Sequence, residues 1–258
     1  MIVTSTSDSK GAEYVRKSYE NVKALCEGED GTVQQLATRR EVEKTVGYAV
    51  REDVAGGYVN WGSGWGDAEA GVRFAKKKLD EMGRVEFRTG EVTSLITDVN
   101  TTQQTSTEQL PKVTGVKLAD DTEISADLVI LATGAWTGRL IDLRGRADAS
   151  GQVLAYIRIT DAEQERLRDI PTLLNLSTGM FIMPPRNNLL KIARHAYGYR
   201  NPVQVPDDDT NRKVSLPEPG VPIPPEGEQS CRAALREMLP AFAERPFVKT
   251  RVCWYTDT

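Results

Sequence analysis

The 258-residue chain is poor in the residues that most sharply define a chemistry, with three cysteines and one histidine. Cys26, Cys231 and Cys253 are odd in number, widely spaced and unaccompanied by a histidine cluster, which argues against a disulfide framework and a zinc site. With His195 alone, any triad or metal-hydrolase mechanism must place all its imidazole chemistry on one residue. Long apolar runs are also missing. The longest, residues 128–132, is far shorter than the roughly 20 residues a membrane helix needs. The opening Met-Ile-Val-Thr-Ser-Thr-Ser lacks the basic region and apolar core of a targeting segment. Nor is there an excess of positive charge. The formal net charge is -4, so the broad field that draws phosphate backbones is absent. These absences predict an intracellular soluble protein whose partners include neither nucleic acid nor membrane.

What is present is ordinary for a folded protein, 39% hydrophobic and 27% charged, enough for one large core or two small ones. Val15, Tyr19, Val22 and Cys26 follow helical spacing and predict a helix over residues 12–25. A second helix is marked at both ends, by Asp67 as cap and Gly83 after its close, with a stripe of Val72, Ala75, Leu79 and Met82. Strands are expected at 85–88, 92–96 and 113–118, with a Thr/Gln/Ser-rich loop at 100–108. Ala119-Asp120-Asp121-Thr122 is turn chemistry that pairs 113–118 with 123–125 as a hairpin. The apolar run 128–132 then reads as a strand buried on both faces. Further strands are expected at 153–159, 180–183 and 189–193, then a Pro/Asp/Gly-rich irregular connection over 201–227. A helix at 230–239 and a strand at 248–254 close the chain.

Two segments invite a phosphate or dinucleotide reading. Gly62-Ser63-Gly64-Trp65-Gly66-Asp67 precedes a helix, but Asp67 stands where Gly-x-Gly-x-x-Gly needs its third glycine, and a carboxylate there would repel a pyrophosphate. A glycine-rich turn and helix cap is the better reading. The segment Thr133-Gly134-Ala135-Trp136 follows the apolar run, and Gly134, lacking a side chain, lets a cofactor approach the main chain closely. A buried strand ending in a plain turn is the alternative.

Residues 126–140 nevertheless resemble the second flavin-contacting segment of the D-amino-acid oxidase superfamily, in the branch of sarcosine, saccharopine and fructosyl amino-acid oxidases. Val252-Cys253-Trp254-Tyr255-Thr256-Asp257-Thr258 resembles the family segment whose cysteine is joined to the flavin. Leu190-Lys191-Ile192-Ala193-Arg194-His195 resembles the segment carrying a lysine near flavin N5 that assists reaction with oxygen. Gly90-Glu91-Val92 looks like the place where valine main chain meets adenine. The resemblance implies FAD, covalently held through Cys253 and contacted by Val92, Thr133, Gly134, Ala135 and Trp136, with Lys191 and His195 as catalytic candidates. Taken without it, Lys191 reads as an ordinary surface lysine and His195 as a structural histidine. Phe181 stands near where sarcosine-type relatives carry a cavity tyrosine.

The family's Gly-x-Gly-x-x-Gly strand and helix, and a later glycine-rich segment, are not in the sequence, so a chain truncated at both ends is expected. The implied fold is α+β, an incomplete FAD-binding, Rossmann-like domain over 1–150, a sheet-rich substrate domain over 151–247 and a return strand to the flavin over 248–258. The implied function is oxidation of secondary amines of amino acids, such as sarcosine, pipecolate, saccharopine or fructosyl amino acids, giving an imine and hydrogen peroxide. Oxygen and an amino-acid-derived amine are the partners, the compartment cytoplasmic or peroxisomal, and the oligomeric state open. A catalytically inactive family fragment is the first alternative, and a non-enzymatic binding module the second.

Overall fold

The backbone ladders are the first fact of the computed structural model, which describes residues 1–26, 31–98, 111–206 and 211–257. In chain order the elements are β1 (Ile2–Ser5), α1 (Ser9–Leu25), β2 (Val33–Leu36), α2 (Arg39–Val46), β3 (Val54–Asn60), α3 (Ala68–Met82), β4 (Val92–Thr97), β5 (Val113–Leu118), β6 (Glu123–Ser125) and α4 (Thr137–Leu140). They continue as β7 (Asp148–Arg158), α5 (Asp161–Leu167), β8 (Leu173–Asn175), β9 (Met180–Arg186), β10 (Leu189–Arg194), β11 (Pro202–Gln204), β12 (Lys213–Ser215), α6 (Pro225–Met238) and β13 (Phe247–Asp257). Helix and strand are thus mixed, as expected. Among the described residues no helix is long and apolar enough to cross a membrane.

Two compact units result, each discontinuous in sequence. The first comprises Met1–Gly66, Gly151–Tyr199 and Pro219–Cys253; the second comprises Asp67–Ser150, Arg200–Glu218 and Trp254–Thr258.

The first unit is organised on a sheet in the order β13-β7-β10-β9-β8-β1-β3-β2. Pairing of β1 with β8 is parallel, and the β10 pairings with β7 and β9 are antiparallel. Side chains alternate across a strand, and here one face builds the core while the other sets half-buried Tyr156, Met183 and Lys191 beside buried Leu154 and Ala193. Val153, Ala155 and Ile157 of β7, Ile182 of β9 and Leu190 and Ile192 of β10 join Cys231, Ala234, Leu235 and Met238 of α6 in one core cluster. Burial of each large aliphatic side chain stabilises by about 1.5–3 kcal/mol. Helix α6 starts with Pro225 in its first turn, where the missing N–H costs nothing.

Helix α5 is held at its start by a capping box between Thr160 and Glu163, and Glu163 also accepts two hydrogen bonds from Arg245. The Arg245 guanidinium, then the Thr160 N–H, hold the Glu163 carboxyl well below its ordinary 4.5, at about 2. A depressed carboxyl contributes stability that is present above the unfolded value and is lost as pH falls through the folded one. The acid limb between pH 4.5 and about 2 therefore carries this pair. Glu163→Gln is expected to flatten that limb in thermal melts while lowering the melting temperature at pH 7. An unchanged pH profile would remove Glu163 from the acid response.

In the second unit, α3 matches its sequence signals: Asp67 accepts from the Ala70 N–H and Gly83 closes the helix at φ +63°. The meander β4-β5-β6 is antiparallel, with Val116 opposite Leu95 and Ile124. Two expected strands are corrected. Residues 85–88 form none, and Val85 and Phe87 are exposed. Residues 128–132 form none either, and Leu128 and Ile130 are 75% and 80% exposed. The reason is common to both: an extended apolar segment becomes a strand only where a neighbour accepts and donates along its ladder, and none does so here. The expected irregular connection 201–227 contains the β11–β12 hairpin and the start of α6. The loop expected at 100–108 lies outside the described residues.

Candidate functional site

On the face of the first unit's sheet away from the α6 core, half-buried Lys191 of β10 is flanked by Tyr156 of β7 and Met183 of β9, its Cα partners in the two ladders. Its Nζ lies 5.7 Å from the centroid of the Phe181 ring. Burial pushes the Lys191 ammonium below the usual lysine range; the Cys253 sulfur opposes that shift and the Arg251 charge adds to it. Lys191 and Cys253, distant in sequence, are therefore electrostatic neighbours in one unit. Cys253 is a free thiol, half-buried on β13, and Arg251 Nη2 donates to its Sγ at 3.7 Å. Arg251 thus faces the part-exposed sulfur, and Lys191 is near enough to feel it.

His195 follows the end of β10 and is exposed, and its main-chain N–H donates to the Gly179 carbonyl at 2.7 Å. Four residues of extended chain, on the order of 13 Å, separate it from Lys191.

In the second unit, Gly134-Ala135-Trp136 form a 3-10 turn leading into α4. The Thr137 hydroxyl donates to the Gly134 carbonyl at 2.7 Å and shares a 2.9 Å hydrogen bond with Thr133 Oγ1. Gly134 has φ +50°, and a Cβ built there would meet only Thr256 Oγ1, at 4.0 Å. The main chain at Gly134 is therefore both left-handed and open to approach. Ala135 is buried and Trp136 half-exposed. A cavity of about 260 Å³ beside the turn is lined by Gly134, Ala135, Asp148, Arg200, Ser215 and Thr256 among others. Val92 opens β4 opposite Leu118, and the preceding Glu91 binds Arg139 of α4. The adenine candidate and the Thr133–Trp136 turn are thus linked through α4. Gly134→Ala is expected to cost about 1–2 kcal/mol for the left-handed conformation, read as a lower urea midpoint. An unchanged midpoint would show that the turn relaxes.

The Gly62–Asp67 segment behaves as a turn and cap: Asn60 Oδ1 accepts from the Gly62 N–H, and Asp67 caps α3.

One cluster escaped the sequence reading. Arg194 is only 1% exposed. It donates to Tyr197 and to Glu226 of α6, and stacks 4.1 Å from the centroid of the Tyr197 ring. Glu226 also accepts from Tyr197, Tyr199 and Ser230. Those hydrogen bonds outweigh burial and hold its carboxyl at about 2. The network fixes residues 195–199, together with the Gly151–Tyr199 backbone pair and the Gln152 hydrogen bond to the Ala196 carbonyl. Only the Tyr-x-Tyr spacing hinted at it, because the Glu226 partner is remote in sequence.

A flavin dinucleotide fits part of this arrangement. In the second unit the open main chain at Gly134 suits close approach of a cofactor, and in the first unit the part-exposed sulfur beside Arg251 suits a covalent tether. For the pyrophosphate, no described strand leads through Gly-x-Gly-x-x-Gly into a helix: β1 reaches α1 through Thr6, Ser7 and Asp8.

Comparison with known proteins gives the same direction. The family model described as DAO, FAD dependent oxidoreductase, matches residues 1–258. An amino acid oxidase of Aspergillus flavus is 30% identical over 232 residues, covering 78% of this chain and 48% of the relative. The L-saccharopine oxidase of Schizosaccharomyces pombe is 25% identical over 99% of this chain and 60% of its own length. Among solved structures, the deglycating fructosamine oxidase of Aspergillus fumigatus (Amadoriase II) superposes on 100% of this chain and 57% of its own, with TM-score 0.79 at 26% identity. The chain thus spans roughly half of such relatives.

Proposed function

Since the chain belongs to the DAO family of FAD-dependent oxidoreductases, we propose that it serves the oxidation of a secondary amine of an amino acid, of sarcosine, pipecolate, saccharopine or fructosyl amino-acid type. The observation that carries this reading is that β13, with Cys253, and β10, with Lys191, flank β7 in one sheet, close enough for the sulfur to act on the Lys191 ammonium. Cys253 would tether FAD, Val92 and Thr133 to Trp136 would hold it, and Lys191 would serve the oxygen step. FAD, when bound, takes two electrons from the CH–NH unit and delivers them to dioxygen. In balance, the amine loses a hydride and a proton to become an imine, dioxygen gains two electrons and two protons to become peroxide, and water hydrolyses the imine.

The chain's own contribution is orientation and charge. Gly134 admits a planar or phosphate-bearing group to the main chain because it carries no Cβ. Lys191 places a cation where negative charge develops, and partial burial raises the worth of that cation by lowering the local dielectric. His195, exposed and away from Lys191, would act only at the margin of the site. The division of labour between residues 1–150 for FAD and 151–247 for substrate belongs to the same proposal.

Oxygen uptake by the purified yellow chain over a panel of those four amines tests the reading; uptake with one of them is expected. A second reading, flavin binding without turnover, is favoured by residues 128–132, which form no strand and leave Leu128 and Ile130 exposed. Bound flavin with no uptake on any amine would select it.

A further inference from the structure

Helix α4 is a single turn of four residues, too short to hold itself in water, so the place of the Gly134 turn that leads into it depends on what grips α4. At its start the grip is internal: the Trp136 N–H donates to the Thr133 carbonyl at 3.0 Å, and the Thr137 hydroxyl donates to the Gly134 carbonyl at 2.7 Å. At its end the grip comes from outside. Arg212 Nη1 donates to the Gly138 carbonyl at 2.7 Å and to the Ile141 carbonyl at 3.0 Å. A cation there satisfies carbonyls that a helix end leaves without intrahelical partners, and it complements their negative partial charge. The other charged contact of α4, Arg139 with Glu91, uses a carboxylate that is mostly exposed, where an ion pair contributes little.

Arg212 can serve as a fixed post because its own backbone is tied elsewhere. Its carbonyl accepts from the Val205 N–H at 2.9 Å, and β12, which follows it, is paired with β11. Buried Ser215, at the far end of β12, accepts from the Asn201 N–H at 2.9 Å, and its own N–H donates to Asp148 Oδ1 at 3.3 Å. All of these residues belong to the second unit. Arg212 and Gly134 also line the same cavity of about 260 Å³.

We propose that Arg212 is a positioning residue: from the β11–β12 hairpin it holds α4 and so sets the place of the open main chain at Gly134. The inference rests on the flavin reading above for what the turn receives, and it adds to that reading the residue that places the turn. In this role Arg212 acts through α4.

The test pairs a local and a ligand readout in the full chain. Amide hydrogen exchange of residues 134–141, followed by mass spectrometry, reports the turn through the Trp136 and Ile141 N–H groups, which donate to the Thr133 and Thr137 carbonyls. The amides of β4 and β5 are the reference within the same unit. Arg212→Gln is expected to speed exchange over 134–141 by on the order of tenfold, the factor for one hydrogen bond to a charged group, with β4 and β5 unchanged. Arg212→Lys, which keeps a cationic donor, should restore most of the protection; a loss of packing alone would not follow charge in this way. The ligand readout is quenching of FAD fluorescence, measured in a Cys253→Ala background so that binding stays reversible. Apparent affinity falls as the competent position of the turn is depopulated, and Arg212→Gln is expected to weaken it several-fold. Unchanged exchange over 134–141, or exchange that quickens equally in β4 and β5, would overturn the proposal. So would faster exchange over 134–141 with FAD affinity unmoved. Absence of FAD binding before Arg212 is changed, together with the local exchange response, would sink the flavin reading and leave the hold of Arg212 on the turn standing.

Discussion

Lys191→Met is expected to lower amine-dependent peroxide formation by on the order of 100-fold or more, the usual scale for removing one preorganised charge from a developing anion. Methionine keeps a similar unbranched stem beside Tyr156 and Met183, so flavin content and stability should stay close to wild type. Lys191→Arg, which keeps the charge, should retain far more activity than Lys191→Met. A pH dependence follows. Burial depresses the Lys191 ammonium below the usual lysine range, and the active form is the protonated one. The oxygen step should therefore weaken as pH rises, beginning below the ordinary lysine value, and the methionine variant should lack that limb. Stopped-flow reoxidation separates this step from amine oxidation. Equal reoxidation rates in wild type and Lys191→Met would remove Lys191 from the oxygen step.

Ile192→Ala, one residue along the same strand, should do the opposite. Ile192 is fully buried against α6, and its truncation is expected to cost about 2–5 kcal/mol from lost transfer energy and residual cavity. Urea titration reads this as a lower midpoint with an unchanged slope. The pair of variants separates the two faces of β10. If Ile192→Ala is no more destabilising than Lys191→Met, the assignment of the core face and the Lys191 face is wrong.

How far these faces could be read from the sequence depended on whether the signal was local. The ends of α3 were legible because Asp67 and Gly83 each act within one helical turn. The β5–β6 hairpin was legible because its turn, with Asp121 at φ +65°, is contiguous with both strands. Helix α2 was missed although Thr38 and Glu41 form a capping box, since only Val42 and Val46 mark its buried side. Strand β1 was missed because it has four residues, and β3 because Gly56 and Gly57 interrupt its apolar pattern; both acquire their meaning from non-local pairs, Ile2 with Tyr58 and Leu174. The misread run 128–132 makes the same point in reverse: hydrophobicity alone specifies burial, and burial needs a partner that composition cannot name.

The candidate site divides in the same way. Gly134 was visible because a glycine after an apolar run is a local pattern, and its left-handed backbone gives that glycine a physical necessity. The juxtaposition of Lys191 and Cys253 was available only through resemblance, because β13 returns to the sheet edge beside β7 after the whole of α6. Arg251 and the Arg194–Glu226 network had no sequence signal strong enough to single them out. In each case the missing information was which strands lie beside each other.

Acid denaturation of the purified chain, followed by flavin absorbance and the mass of the peptide containing Cys253, tests most directly whether Cys253 and Lys191 mark a flavin site. Acid-stable flavin on that peptide, lost in Cys253→Ala, is expected. Colourless protein with an unmodified Cys253 peptide, even after the chain is refolded with FAD, would contradict it.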